Sequence, residues 1–111
     1  MTYPSARLER QAPFVKSLVD AHSRPRMREA LLQHANKDQI NALSDIVLNT
    51  LRHHVPLDPP LTARLRRYKK PLRDLSNRKA SVTKRKNILL RQKGKGFWKG
   101  LQQVCQCVLP S

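Results

Sequence analysis

A chain of 111 residues with 39% hydrophobic residues has room for one small domain, but not for a deep catalytic cavity. Lysine and arginine total 23 against 7 aspartate and glutamate, and a formal net charge of +16 favours a polyanionic partner. Residues 1–58 carry a net charge of +2 and residues 59–111 carry +14, so that partner is expected on the C-terminal half. Nucleic acid is the commonest such partner, and an anionic membrane surface is the next.

The compartment is predicted from what the sequence lacks. The first eleven residues are polar and lack the apolar segment of a secretory signal. No run approaches the roughly 20 apolar residues of a transmembrane helix. Cys105 and Cys107 stand too close together for an ordinary disulfide. We therefore expect an intracellular protein that is not secreted.

The 3 glycines and 8 prolines favour helices separated by breaks over sheets with tight hairpins. The predicted fold is all-α, a small bundle of short helices whose basic C-terminal half is partly disordered without nucleic acid. The predicted segments are a flexible lead-in at 1–12, a helical module at 13–55, a proline-rich linker at 56–60, a basic helical region at 61–93, and a glycine hinge with an amphipathic apolar tail at 94–111.

The N-terminal module shows three helical starts. Pro13 suits a first helical turn, and Ser23 is a candidate cap for a second helix. Asn36 with Gln39 three residues later has the spacing of a capping box. The helix that follows has one apolar stripe, formed by Ile40, Leu43, Ile46, Val47 and Leu51.

The C-terminal half begins with apolar residues at intervals of 4, 3, 4 and 3, which predict a helix: Leu61, Leu65, Tyr68, Leu72 and Leu75. Pro71 interrupts it, so a kink or two short helices are expected. Ser81 is a candidate start for another helix, with Val82, Ile88 and Leu89 apolar and Lys84, Arg85 and Lys86 exposed. The tail repeats apolar residues at helical spacing from Phe97 to Val108.

Eleven basic residues of this half are the candidate nucleic-acid-binding set: Arg64, Arg66, Arg67, Lys69, Lys70, Arg73, Arg78, Lys79, Lys84, Arg85 and Lys86. Dense positive charge binds phosphates by releasing condensed counterions, and arginine adds forked hydrogen bonds. A solvated helix face is the alternative, but only Asp74 opposes these charges beyond residue 58.

Base-specific reading is disfavoured, because no zinc-finger spacing, aromatic RNA-binding signature or leucine zipper is present. A helix-turn-helix over residues 26–51 is a minor alternative. Its recognition helix, residues 38–51, carries acids and almost no base-reading arginine.

Catalytic and metal-binding patterns are lacking in the sequence. It contains no nucleophile elbow, phosphate-binding loop or paired carboxylates. His53 and His54 with Cys105 and Cys107 do not have zinc-site spacing. We therefore expect no enzyme activity, cofactor or metal.

From about residue 13 to residue 96 the chain resembles the small basic core proteins of Maverick/polinton elements and adintoviruses, which are related to adenovirus core proteins. The residues that carry the resemblance are 28–32 (REALL), 40–49 (INALSDIVLN), 55–57 (VPL), 65–75 (LRRYKKPLRDL), 84–90 (KRKNILL) and 92–97 (QKGKGF). Their order along the chain is more specific than any one of them.

The resemblance implies a virion core protein that condenses double-stranded DNA in the virion and host nucleus. It also implies capsid protein and an adenain-like maturation protease as partners. The helical module at residues 13–55 is expected to self-associate or to dock a partner. Gln92, Gly94 and Lys95 before Gly96 fit that protease's frame, with Gln92 in place of the usual aliphatic residue. Two alternatives remain. One is a membrane-active or capsid-docking protein that acts through its apolar tail, and the other is a cellular RNA-binding or ribosome-associated protein.

Overall fold

The computed structural model describes residues 5–109, which form seven α-helices and no strand. The helices are α1 (Ala6–Asp20), α2 (Pro25–Gln33), α3 (Lys37–Leu51), α4 (Pro59–Arg66), α5 (Lys69–Ser76), α6 (Val82–Arg91) and α7 (Lys95–Val108). The predicted all-α class is therefore confirmed. Partial disorder of the basic half without nucleic acid is not shown and stays a prediction.

Side-chain caps begin four of these helices. Asn36 Oδ1 accepts from the backbone N–H of Gln39 at 2.9 Å, and Gln39 Oε1 accepts from that of Asn36 at 2.8 Å, which confirms the capping box. Ser81 caps α6 as predicted, and Ser5 and Asp58 cap α1 and α4. The prediction for Ser23 was wrong by one residue, because Arg24 precedes α2 and Pro25 takes its first position.

The first helix corrects the predicted lead-in over residues 1–12. It begins at Ala6, and Pro13 lies inside it instead of in its first turn. Leu8 and Ala12 are buried in this early part of the helix. Residues 6–12 thus belong to the folded domain, while residues 1–4 lie outside the described part of the chain.

The basic region forms two short helices, as Pro71 suggested, but the break lies earlier. α4 ends at Arg66 and α5 begins at Lys69, so the chain turns at Arg67 and Tyr68. Pro71 then occupies the first turn of α5, where a backbone N–H has no partner within the helix.

The most buried helix is α3, which packs against α1, α5, α6 and α7. α7 also packs against α1 and α4, and α6 packs against α2 and α5. Leu61, Leu65, Leu72, Leu75 and Leu89 of the basic region belong to the same core cluster as Ile40 and Leu43 of α3. The predicted segments 13–55, 61–93 and 94–111 therefore share one hydrophobic core wherever they are described. This burial also excludes α3 as a recognition helix.

Candidate nucleic-acid interface

The acidic residues of α3 pair mainly with arginines of α1. Asp38 accepts from Arg7 Nε at 3.1 Å and from Arg10 Nη2 at 3.0 Å, and Gln11 donates to it at 2.6 Å. Hydrogen bonds from Arg10 and Gln11 hold the pKa of Asp38 well below its usual range. Asp45 accepts from Arg7 at 3.0 Å and also pairs with Arg78.

These pairs leave the cations of α4 and α5 without acidic partners. We call Arg64, Arg66, Arg67, Lys69, Lys70 and Arg73 the basic array. None of the six makes an ion pair within residues 5–109. All are exposed except Arg64, which is half-buried. Leu65 and Leu72 turn into the core, which directs the charged side chains to solvent.

The predicted binding residues that follow the basic array differ in whether their charge is paired. Lys79 and Lys84 are exposed, and neither has an acidic partner in the part of the chain that the structure describes. Arg78 is exposed, but its guanidinium pairs with Asp45. It therefore contributes less free charge than its neighbour Lys79.

Arg85 is a correction to the predicted set, because its side chain lies in the core. It is 2% exposed, and its Nη1 donates to Asn41 Oδ1 at 2.8 Å and to Ser44 Oγ at 2.7 Å. Its Nε is buried without a hydrogen-bond partner. Burial lowers the pKa of Arg85, with a further contribution from Arg78. A guanidinium in this position cannot reach a phosphate.

Lys86 is the second correction. Its Nζ donates to the carbonyl oxygens of Gln33 at 3.1 Å and Ala35 at 2.8 Å. Cations are favoured there, because the last carbonyls of a helix lack partners within the helix. Lys86 is half-buried and joins α6 to the end of α2, so we assign it a structural role.

Two lysines of α7 lie close to the basic array, although they are not among the predicted nucleic-acid-binding residues. Gly96 lies so close to Tyr68 that a methyl group there would overlap the phenolic hydroxyl, and a methyl at Gly100 would lie 3.2 Å from Leu65 Cδ2. The start of α7 therefore lies against the end of α4. Lys95 and Lys99 flank these glycines and are exposed. The sequence signal for this contact is the pair of glycines four residues apart, because glycines at this spacing lie on one face of a helix and permit close helix packing.

The predicted cleavage segment and tail do not form a free arm. Lys95 and Gly96 belong to the first turn of α7, with Gly94 as its N-cap and Gln92 after the end of α6. The backbone around Lys95–Gly96 is therefore helical, whereas a protease cleft needs an extended chain. The indole N–H of Trp98 donates to the carbonyl oxygen of Gln92 at 2.5 Å.

The tail instead completes the core. Phe97 and Trp98 are each 2% exposed, and Leu101, Val104 and Cys105 are buried with them. The Arg28 guanidinium lies 4.6 Å from the centre of the Trp98 ring. Cleavage before Gly96 would remove these five core side chains, and in this structure the tail packs inward instead of extending from the domain.

Side chains that could bind a metal ion are not grouped together in the described part of the chain. Within residues 5–109, no three His, Cys, Asp or Glu side chains are grouped so that they could hold a metal ion. Burial raises the pKa of the Cys105 thiol to about 12, which keeps it protonated at neutral pH. Among the same residues, no helix has both the length and the apolar character needed to cross a bilayer.

No protein-family model, curated protein or solved structure matches this chain.

Proposed function

We propose that this protein binds the phosphate backbone of double-stranded DNA without reading its base sequence, and that it condenses DNA as a virion core protein. The observation that carries the binding is the basic array, whose cations have no acidic partner among residues 5–109. Phosphate contacts by such charges release counterions and are indifferent to sequence. The virion role and nuclear location rest on the resemblance to Maverick/polinton and adintovirus core proteins.

The placement of the aromatic side chains favours backbone contacts over base contacts. Phe14, Phe97 and Trp98 are buried. Tyr68 is half-buried and packs edge-to-face on Phe97, with ring centres 5.6 Å apart. Proteins that bind unpaired bases stack them on exposed aromatic rings. Among residues 5–109 no phenylalanine, tyrosine or tryptophan is exposed, which disfavours single-stranded RNA.

The charge and the size of the molecule also fit DNA condensation. The domain measures 30 Å along its longest axis. Because duplex DNA carries one charge per about 1.7 Å, a protein of this length spans about 18 phosphate charges. The net charge of +16 nearly neutralises that stretch, and neutralisation removes the repulsion that keeps duplexes apart.

The test compares two variants with equal loss of charge. In the first, five exposed residues of the array become glutamine: Arg66, Arg67, Lys69, Lys70 and Arg73. In the matched control, three arginines and two lysines of the N-terminal half become glutamine: Lys16, Arg24, Arg26, Lys37 and Arg52, which are also exposed and make no ion pair within residues 5–109.

Mobility-shift titrations of a random-sequence duplex from 50 to 200 mM salt give the readout. We expect the affinity of the unmodified protein to fall about 10³–10⁵-fold over this range, with a log–log slope that becomes shallower by up to about four units in the array variant. The control should lose far less affinity. Equal losses in the two variants would remove the array as the interface, and a flat salt response would remove phosphate binding altogether. Tighter binding to RNA duplexes or anionic vesicles of equal charge would overturn the choice of DNA.

A further inference from the structure

A cleft beside the basic array has an apolar interior that DNA binding does not use. A cleft of about 650 Å³ lies between the end of α3, the loop after it, and helices α4, α5 and α7. This volume is within the range of about 300–1,000 Å³ that is typical of small-molecule sites. Its floor consists of buried aliphatic side chains, namely Val47, Val55, Leu65, Leu72, Leu101 and Val104.

The mouth of the cleft is cationic. Arg66 and Lys69 line it, and both are exposed, whereas the floor is buried. No aspartate or glutamate lines the cleft, and neither cation makes an ion pair within residues 5–109. An apolar interior below two unpaired cations is complementary to a ligand with an apolar body and one anionic end.

The lining also indicates the shape of the apolar body. No phenylalanine, tyrosine or tryptophan lines the cleft, and its one imidazole, that of His53, is exposed, so a nucleobase inside the cleft would find no buried ring to stack on. The long leucine and valine surfaces fit a flexible alkyl chain. Arginine presents a planar fork that matches a carboxylate with two parallel hydrogen bonds.

We propose that this cleft binds a long-chain fatty acid, with its alkyl chain on the leucine and valine floor and its carboxylate on Arg66 and Lys69. The proposal goes beyond DNA binding, because it assigns a small-molecule site to the same face. The two ligands share these two cations, so a bound carboxylate competes with DNA phosphates there.

Isothermal titration calorimetry with octanoate, decanoate and dodecanoate, each below its micelle concentration, tests the proposal. Burial of each additional pair of methylenes should tighten binding by roughly tenfold. Dodecyltrimethylammonium carries the same chain with the opposite charge and should bind at least about tenfold more weakly than dodecanoate. Equal binding of the two would show that the cations do not recognise the carboxylate, and it would overturn the proposal, as would no binding of dodecanoate.

The matched variants are neighbours in the chain. Arg66→Gln with Lys69→Gln should weaken dodecanoate binding at least about tenfold, since hydrogen bonds to charged groups are lost. Arg67→Gln with Lys70→Gln removes the same charges from exposed residues that do not line the cleft, and it should change dodecanoate binding by less than about twofold. Equal effects of the two pairs would overturn the assigned carboxylate position. Arg67→Gln with Lys70→Gln should still lower DNA affinity, so the experiment can disprove the fatty-acid site without disproving the DNA interface, and the reverse.

Discussion

Replacement of Asn41 by leucine tests how the core tolerates a buried arginine. Arg85 is 2% exposed, and its two hydrogen-bond acceptors are the side chains of Asn41 at 2.8 Å and Ser44 at 2.7 Å. Neither acceptor carries a charge that would offset the desolvation of the guanidinium. Asn41→Leu removes one of the two acceptors and leaves a cation in the core with a single side-chain partner.

The expected magnitude follows from the hydrogen bond that is lost. A bond to a charged group contributes about 1.5–3 kcal/mol, so Asn41→Leu should lower the free energy of unfolding by about that amount. Arg85→Met removes the buried charge but leaves the Asn41 carbonyl unpaired, at a cost of about 1–3 kcal/mol. The double variant puts two apolar side chains in contact and should cost about 1.5–3 kcal/mol less than the sum of the single changes.

Urea unfolding followed by helical circular dichroism measures the four free energies of this cycle. The control cycle pairs Asn41→Leu with Lys84→Met, since Lys84 is an exposed neighbour of Arg85, and it should be additive within about 0.5 kcal/mol. Additivity in the Asn41–Arg85 cycle as well would refute the buried hydrogen bond. Mobility shifts should also separate the neighbours, because Lys84→Met should lower DNA affinity and Arg85→Met should leave it unchanged.

Two further predictions concern a helix end and acid stability. His53 follows α3 with a left-handed φ of 61°, so His53→Gly should raise the free energy of unfolding by up to about 1 kcal/mol. The control is His54→Gly. If both variants lowered the free energy of unfolding equally, the backbone at His53 would not be strained. The folded-state pKa of Asp38 lies below its unfolded value, so its contribution to stability is present above about pH 4 and is lost as pH falls further. In urea unfolding at several pH values, Asp38→Asn should therefore make the free energy of unfolding fall less steeply below pH 4. The control is Asp20→Asn, which removes an exposed carboxylate that makes no ion pair within residues 5–109. An equal change in both variants would contradict the role assigned to Asp38.

Local signals in the sequence correctly predicted the starts of α3 and α6. The box of Asn36 with Gln39 and the cap at Ser81 depend only on residues three positions apart, so they can be read without the tertiary fold. The start of α1 was missed because Pro13 suggested a first turn. The burial of Leu8 and Ala12 before that proline, together with that of Phe14 after it, holds the helix on both sides, and this burial depends on partners that are distant in sequence.

The misplacement of Arg85 has a different cause. Its spacing was informative, because Val82, Arg85 and Leu89 recur at intervals of three and four and share one face of α6. Charge was given more weight than periodicity, as is correct for most arginines. The partners Asn41 and Ser44 lie more than forty positions earlier, so the residues around Arg85 do not predict them. Asn41 and Ser44 on the otherwise apolar face of α3 are a second sign, because buried polar side chains need a hydrogen-bond donor nearby.

The packing also changes how the charge of the C-terminal half acts. The C-terminal half carries a net charge of +14, for which a polyanionic partner is expected. In the structure its leucines join the core built on α3, and Asp45 of α3 takes Arg78 into an ion pair. The remaining cations stand on helices that this core already positions. In this arrangement DNA phosphates meet a formed array, and binding carries the conformational entropy cost of ordering, about 1–2 kcal/mol per residue for the backbone, only over the part that is predicted to be disordered without nucleic acid. The salt-dependent release of counterions then remains as the main contribution to affinity, which is the behaviour that the proposed function requires.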